Sequence, residues 1–241
     1  MFKDRVILVV DDEPDLREIL KDEFEFEGAH VVEAKNGKEA LEIVKSKRID
    51  AVVTDIRMPG GDGVTLAKEV LELNSDHPVI SMITGFADIS NFEAYDLGVE
   101  GFFTKPFNLE IIREAVSRHL EDPKNRWAKL PASIERKNLE MQFASLDQAI
   151  EKQVFAIGRG GFFIAMERGN FRIQDAVQFH LHCTNGPSLK GTGIIRWIRP
   201  EVNGELPQGI GIEILTLSDE SSEYIINWIH KNRPKAYIPS R

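Results

Sequence analysis

The stretch VILVVDDEPD, Val6–Asp15, determines how the first half of this chain folds. Five apolar residues of the kind that fill a buried strand end at two adjacent carboxylates, Asp11 and Asp12. Because charged residues are rarely buried without a partner, both acids are expected just past the carboxyl end of the strand. In an open parallel sheet this end is where ligands bind. The stretch therefore predicts a parallel sheet with an acidic site at its edge.

Four further apolar runs follow, with room for a helix between them: HVVEA (30–34), DAVVT (50–54), PVISMIT (78–84) and GFFT (101–104). Between and after the runs, apolar residues recur at helical spacing, as in Leu16–Phe24 and Leu109–Leu120. Five strands alternating with five helices predict an α/β domain over residues 1–122, with a parallel sheet covered on both faces. At this length the flavodoxin-like strand order 2-1-3-4-5 is the economical arrangement.

The predicted strand ends bring five side chains together. Asp11 and Asp12 follow the first strand, Asp55 follows the third, Thr84 the fourth and Lys105 the fifth. The first and third strands are neighbours in the predicted order, so three carboxylates converge and need a counter-charge. Oxygen ligands with a shell completed by water suit Mg²⁺.

This combination favours phosphoryl transfer. A carboxylate beside Mg²⁺ can attack a phosphoryl group and become an acyl phosphate, while the ion neutralises the phosphoryl oxygens. The Lys105 ammonium adds a second positive charge, and the Thr84 hydroxyl can donate to a phosphoryl oxygen. Each residue alone has an ordinary interpretation as a helix cap, a turn residue or a solvated lysine. Their joint occurrence at four strand ends is what favours a site.

Charge and composition differ between the two halves of the chain. The net charge is −9, but residues 1–122 carry 27 Asp and Glu against 14 Lys and Arg, whereas the remainder carries 12 against 16. An acidic half joined to a mildly basic half indicates two domains with different partners and gives no support for nucleic acid binding. The single cysteine, Cys183, cannot form an internal disulfide, and no apolar run is long enough for a membrane span. We therefore expect a cytoplasmic protein without a signal peptide.

The second half has a different pattern. EDPKNRWAKLPAS (121–133) has two prolines and no clear period, and we interpret residues 123–132 as a linker and 133–241 as an all-β output domain. Six short strands separated by turn residues predict a small barrel or sandwich; they are RKNLEMQF, QVFAIG, GGFFIAM, AVQFHLH, GTGIIRWI and GIGIEIL. A final helix is expected in SDESSEYIINWIHKN, with Ser218 as its cap.

The first half resembles the receiver domain of two-component response regulators. The resemblance rests on LVVDDEPDLRE, VVTDIRMPGGDGVTL, MITGFAD and GFFTKPF, and it covers residues 1–122. It implies that Asp55 accepts phosphate from a partner histidine kinase. It also implies that Asp11 and Asp12 hold Mg²⁺ together with Asp55 and the backbone carbonyl of Arg57, and that the protein is not a conventional enzyme.

The same resemblance implies a switch and a dimer face. The Lys105–Pro106 peptide is expected to be cis, and Thr84 and Phe102 are expected to be the switch pair. Receivers often dimerise through the face that corresponds to residues 87–120, for which the candidate cross-dimer ion pairs are Asp88, Glu93, Asp96, Arg113 and Arg118. An ordinary solvated face is the alternative.

Two bulky residues are predicted to flank the phosphorylation site. Arg57 lies two residues after the acceptor and Phe86 two after Thr84, and in this fold both are expected at the rim where a hydrolytic water must enter. We therefore expect slow spontaneous dephosphorylation, on the order of tens of minutes or longer, because the water is excluded. The alternative is that Phe86 packs on the surface.

The second half resembles a PilZ domain, a small β-barrel followed by a helix, over roughly residues 133–232. The resemblance rests on FAIGRGGFFIAME, GTGIIRWI and GIGIEIL. PilZ domains commonly bind cyclic di-GMP, which implies Arg136, Lys137, Arg159 and Gly161 as candidate contacts. However, Glu140 stands at the second arginine position, Ala156 replaces Asp or Asn, and Gly158 replaces Ser. We therefore expect weak or no cyclic di-GMP binding.

Docking of a protein partner is the preferred role for this domain. The candidate exposed residues are Arg159, Phe162 or Phe163, Arg196, Trp197 and Arg199. Strand alternation places Arg196 opposite Trp197, so one of the two is expected to face the core. Barrel packing is the alternative for the aromatic residues.

Two alternatives remain for the second half, and a third is disfavoured. A cyclic di-GMP effector gated by phosphorylation is one. A DNA-binding regulator is another, although the predicted C-terminal helix is acidic at its start. A metal site at His180, His182 and Cys183 is the third, but Cys183 points to the opposite face of the strand, and two ligands do not make a closed site.

Overall fold

The computed structural model describes residues 1–73, 78–85, 93–94, 97–122, 125, 127, 135–202 and 207–232. The chain divides into two compact units, the first formed by Met1–Leu120 and the second beginning at Glu121. In the described ranges, no helix is long and apolar enough to cross a membrane.

The first unit is built on a parallel sheet. Its strands are β1 (Val6–Val10), β2 (His30–Ala34), β3 (Ala51–Asp55), β4 (Val79–Thr84) and β5 (Gly101–Thr104). They pair in the order β2-β1-β3-β4-β5, and all four pairings are parallel. This confirms the predicted order, and it makes β1 and β3 neighbours, as the acidic site requires.

Four helices accompany this sheet in the described residues: α1 (Pro14–Phe26), α2 (Gly37–Ser46), α3 (Gly63–Leu73) and α4 (Leu109–Leu120). Asn36 caps α2 by accepting a hydrogen bond from the Glu39 backbone N–H, which satisfies one of the free donors at the helix start. A fifth helix, predicted between β4 and β5, falls mostly outside the described residues. The core of the unit joins sheet residues such as Val9 and Val53 to Phe24 of α1 and Ile112 of α4.

The second unit contains a six-stranded sheet. Its strands are β6 (Lys137–Phe143), β7 (Phe155–Ile157), β8 (Gly161–Ala165), β9 (Ala176–Cys183), β10 (Leu189–Arg199) and β11 (Gly209–Leu217). The order is β6-β9-β10-β11-β8-β7, with β6 and β9 parallel and the other pairs antiparallel. All six predicted strands are present, but the pairings in the described part of the chain end at β6 and β7 and do not close into a barrel.

Two helices pack with this sheet. The expected C-terminal helix is α6 (Asp219–Lys231), and the Ser218 hydroxyl accepts a hydrogen bond from the Ser221 backbone N–H as its cap. The sequence interpretation missed α5 (Leu146–Glu151). The Ser145 side chain caps α5 through the backbone N–H of Gln148, so Ser145 with Gln148 three residues later is the signal that predicts a helix start here.

The burial of side chains at two places in the second half was not expected from the sequence. Trp127, which falls within the predicted linker, is only 3% exposed and belongs to the apolar core of the second unit. Arg196 and Trp197 were expected on opposite faces, one of them exposed, yet both are buried. The pairing of β10 with β11 is irregular between Ile195 and Trp197, and this bulge breaks the strict alternation at Arg196.

Candidate functional site

Asp11 is the buried acid of the site. It follows β1 directly and is 1% exposed. Its Oδ1 accepts a hydrogen bond of 2.8 Å from the Glu13 backbone N–H, whereas its Oδ2 has no hydrogen-bond partner among the residues that the structure describes. Burial raises the pKa of the Asp11 carboxyl, because desolvation penalises the charged form. A buried carboxylate oxygen that makes no hydrogen bond, and that has the Lys105 ammonium at 3.6 Å, is the kind of atom that a bound cation satisfies.

Asp55 ends β3 and lies at the same edge of the sheet. Its Oδ2 accepts from the Arg57 backbone N–H at 2.8 Å, and its Oδ1 lies 2.7 Å from Lys105 Nζ. The backbone of Asp55 is tightly held: the Thr54 hydroxyl donates to the Asp55 carbonyl at 2.8 Å, and a Cβ added at Gly63 would collide with that carbonyl. Asp55 is therefore fixed from both sides, with its carboxylate turned towards the lysine.

Lys105 joins the acidic residues. Its Nζ is 3.6 Å from Asp11 Oδ2 and 3.6 Å from Glu13 Oε1, in addition to its contact with Asp55. Burial by itself lowers the pKa of Lys105, but the hydrogen bond to Asp55 and the charges of Asp11, Asp55 and Glu13 outweigh it and raise the pKa. The lysine stays protonated and serves as the shared positive charge of the site. The Lys105–Pro106 peptide is cis, as the resemblance to receivers implies.

The donor set fits a hard divalent cation. Asp11 and Asp55 present oxygen ligands on one side of Lys105, and Asp12, which follows Asp11, is exposed. Carboxylates with water to complete the shell are what Mg²⁺ takes in proteins. In the described ranges no three His, Cys, Asp or Glu side chains stand close enough together to hold a metal in their present positions. Binding of one ion by all three acids would therefore require their side chains to rotate.

Thr84 and Phe102, the predicted switch pair, lie on neighbouring strands. The register pairs Met82 with Phe102 and Thr84 with Thr104. Thr84 is 3% exposed, and its hydroxyl donates to the Gly85 carbonyl at 2.6 Å. The Phe102 ring is half-buried. In this conformation the Thr84 hydroxyl is hydrogen-bonded within the loop that follows β4.

Comparison with known proteins identifies the first unit. A family model described as the response regulator receiver domain matches residues 7–117. Sporulation initiation phosphotransferase F of Bacillus subtilis is 36% identical over 115 residues, which are 47% of this chain and 92% of that protein. The chain belongs to the response regulator family.

Other relatives of this response regulator match over part of their length. The probable transcriptional regulator ycf27 of Cyanophora paradoxa is 35% identical over 156 residues, 63% of this chain and 62% of the relative. Among solved structures, the Thermotoga maritima response regulator TrrA, in complex with Mg²⁺ and BeF, is 34% identical; the match covers 47% of this chain and 97% of that one, with a TM-score of 0.40.

Two residues of the response regulator's site were not predicted from its sequence. Glu13 follows the aspartate pair and reaches Lys105, and Gly63 leaves room for the Asp55 carbonyl. The sequence feature that could have identified Glu13 is its position next to Asp12, as a third acid beside the pair. For Gly63 the feature is weaker. It is the last glycine of GGDG, and glycine is unfavourable within a helix, so its presence there indicates that another group approaches closely.

The predicted rim and dimer residues are described in part. Arg57 is exposed beside Asp55, while Phe86, Asp88 and Asp96 lie outside the described residues. Arg113 binds within its own unit, with NH1 2.9 Å from Glu23 and 3.4 Å from Glu27, which links α4 to α1.

Among the candidate cyclic di-GMP contacts in the second unit, Lys137 is engaged internally. Lys137 Nζ donates to the Asn170 carbonyl at 2.7 Å and lies 2.6 Å from Asp175. Gly161 is buried at the start of β8, and Arg136 and Arg159 are half-buried. Glu140 is exposed on β6. Lys137 is therefore already paired, and the Glu140 carboxylate would repel a phosphate group.

Most of the predicted docking residues are not exposed, which corrects that prediction. Phe162 lies in the core, and Phe163, Trp197 and Arg199 are at most 6% exposed. The rings of Phe163 and Trp197 stack with centroids 5.3 Å apart, and the Arg199 guanidinium lies over both. Arg196 pairs with Glu213 and donates to Gln174. These side chains hold the sheet together, and of the candidates Arg159 alone is more than marginally accessible.

Proposed function

We propose that Asp55 accepts a phosphoryl group from the phosphohistidine of a histidine kinase, and that Asp11, Asp12, Asp55 and the Arg57 backbone carbonyl hold Mg²⁺ while it does so. The observation that carries the proposal is that one ammonium, Lys105 Nζ, lies 2.7 Å from Asp55 and 3.6 Å from Asp11. Two carboxylates around one cation form a preorganised pocket for a group that carries several negative oxygens.

The chemistry follows from the positions of the side chains. Asp55 Oδ1 attacks the phosphorus, the nitrogen–phosphorus bond of the donor breaks, and the imidazole leaves with the electron pair. Lys105 releases Asp55 Oδ1 and stabilises the negative charge on the transferred oxygens. Mg²⁺ held by Asp11, Asp12, Asp55 and the Arg57 carbonyl would supply further neutralisation of the phosphoryl charge. The Arg57 backbone N–H continues to hold Oδ2 of the acceptor.

The switch follows from the Thr84 hydroxyl. It now donates to the Gly85 carbonyl, and a phosphoryl oxygen at Asp55 is a stronger, charged acceptor. Reorientation of the hydroxyl towards the phosphate leaves space that the half-buried Phe102 ring can occupy. A charge added at one residue thus changes the face of the receiver around β5.

The second unit is proposed to be a PilZ-like output domain that docks a protein partner. Its six-stranded sheet followed by α6 supports this interpretation. Cyclic di-GMP binding is disfavoured because Lys137 is paired with Asp175 and Glu140 is exposed. A DNA-binding role is a further alternative, because the ycf27 relative is named a probable transcriptional regulator. It is disfavoured because α6 begins with Asp219 and Glu220, whose charges repel the phosphates of DNA.

Phosphotransfer with a small phosphodonor tests the proposal. The intact mass of the chain is expected to rise by one phosphoryl group in acetyl phosphate with Mg²⁺, and Asp55→Asn is expected to abolish the increase. Asp62→Asn, which removes an exposed acid from the same loop region, is the matched control and is expected to label like the unaltered protein. Equal labelling of the Asp55→Asn protein would end the proposal.

A further inference from the structure

Two histidines of the second unit lie in contact on one strand. His180 and His182 occupy alternate positions of β9 and therefore share a face of the sheet. Their ring centroids are 3.4 Å apart, with the ring planes tilted by 33°. His180 is half-buried and His182 is exposed. The proximity of the rings is a property of the fold that the spacing in the sequence does not establish.

A zinc-class ion requires one nitrogen of each ring to face it. Zinc binds imidazole nitrogen at about 2.0–2.1 Å in tetrahedral geometry, which sets two such nitrogens roughly 3.3 Å apart. The rings now lie against each other, with 3.4 Å between their centroids, so both side chains must rotate to turn one nitrogen of each towards a common ion. Their positions on one face of β9 allow this rotation without moving the strand. Imidazole pairs suit Zn²⁺, Cu²⁺ and Ni²⁺.

A carboxylate is available beside the pair. Glu140 on β6 is paired directly with His180, and Lys190 on β10 flanks His180 on the other side. Paired residues of adjacent strands lie about 5 Å apart, within reach of a glutamate side chain. In the conformations present, the part of the chain described contains no group of three such ligands close enough to hold a metal. Glu140 must therefore swing towards the histidines to become the third ligand.

We propose that His180 and His182, with Glu140 as a third ligand and water as the fourth, form a surface site for a zinc-class divalent ion. The site is separate in chemistry from the acidic site of the receiver, which offers oxygen ligands to a hard cation. It is open to solvent on the sheet face, so the water position is free to exchange for a donor group from another molecule.

Zinc titration of the untagged full chain, with excess Mg²⁺ to occupy the receiver site, tests the proposal. Calorimetry is expected to show one Zn²⁺ bound per chain, and NMR is expected to show the shifts of the His180 and His182 ring resonances moving together. His182→Ala and His180→Ala are each expected to weaken binding by at least roughly tenfold, the smallest effect seen even for outer-shell partners. His230→Ala removes an exposed histidine of α6 in the same unit and is the matched control.

The outcomes separate the parts of the proposal. Unchanged zinc affinity in both single histidine variants, or ring shifts confined to other histidines, would overturn the site. Glu140→Gln is expected to weaken binding while leaving both histidines shifted by zinc. Unchanged affinity in Glu140→Gln would overturn its role as the third ligand. Unchanged thermal unfolding of the metal-free variants shows that these losses are not caused by misfolding.

Discussion

At the residue scale, the site depends on how tightly the backbone of Asp55 is held. The Thr54 hydroxyl and the missing side chain of Gly63 both act on the Asp55 carbonyl. The positions of Asp11 and Asp55 were predictable from the sequence, because an acid at the end of a buried strand lies at the edge of the sheet rather than in its core. The role of Gly63 was not, because it depends on how closely the first turn of α3 approaches β3, a distance that local sequence does not set.

Gly63→Ala is expected to impair phosphorylation. The added methyl group collides with the backbone of the residue that carries the acceptor, so β3 or α3 must shift, at a cost of about 1–3 kcal/mol as in other overpacked sites. The initial rate of labelling by acetyl phosphate and the urea midpoint of the receiver are the measurements. Lys68→Ala, an exposed change on the same helix, is the control. A Gly63→Ala protein with normal stability and normal labelling rate would contradict this role.

Asp11→Asn is expected to stabilise the metal-free protein at neutral pH. Burial raises the pKa of Asp11 above 3.8, so the folded state binds its proton more tightly than the unfolded state does. Stability is therefore lost as the pH rises from below 3.8 through the raised pKa. The difference in melting temperature between Asp11→Asn and the unaltered chain is expected to be large at neutral pH and to shrink in acid. A difference that is independent of pH would contradict the assignment.

At the element scale, strands were easier to predict than short helices and chain junctions. The three central receiver strands, β1, β3 and β4, are mostly apolar and buried over nearly their whole length, the pattern of a sheet covered on both faces. The helix α5 has six residues, too few to show a helical period. Trp127 stands in a proline-flanked polar stretch, so its burial in the core of the second unit reflects tertiary packing rather than local pattern.

Trp127→Ala is expected to destabilise the second unit by about 3–5 kcal/mol, the usual cost of removing a buried tryptophan. A fragment that begins at residue 133, the domain start expected from the sequence, is expected to be less stable than one that begins at 121. Calorimetric unfolding of the two fragments and of the variant measures both effects. Trp228→Ala, on the half-buried face of α6, is the comparison and is expected to lower the stability of the second unit by a smaller amount. Equal stability of the two fragments would show that Trp127 contributes little.

At the scale of the whole molecule, the receiver was predictable because its site combines many specific residues, whereas the surface of the second unit was not. The strands of the second unit follow the sequence, but the bulge at Arg196 and the burial of the Phe163–Trp197–Arg199 stack arise from pairing between distant strands. Predictions of exposed docking residues failed for that reason. The output surface is therefore best sought by experiment on the phosphorylated chain.

Arg57 is expected to prolong the phosphorylated state. It is exposed next to Asp55, where it can obstruct the approach of a hydrolytic water. Arg57→Gly is expected to shorten the lifetime of the acyl phosphate several-fold, while the unaltered chain keeps its phosphate on the order of tens of minutes or longer, because the water is excluded. Decay of the phosphorylated mass after removal of the donor is the measurement, with Arg48→Gly, an exposed arginine of the same unit, as control. Decay within about a minute in the unaltered chain would contradict the prediction.

The central claim is that Asp11, Asp12 and Asp55 bind one divalent ion beside Lys105. A crystal structure with Mn²⁺ in place of Mg²⁺ locates the ion by its anomalous signal. We expect a single ion with carboxylate oxygens of the aspartate pair and of Asp55 at about 2.0–2.2 Å, near the distances that Mg²⁺ takes, and Lys105 moved away from Asp11. An ion bound elsewhere, or one that contacts the aspartate pair without Asp55, would contradict the account.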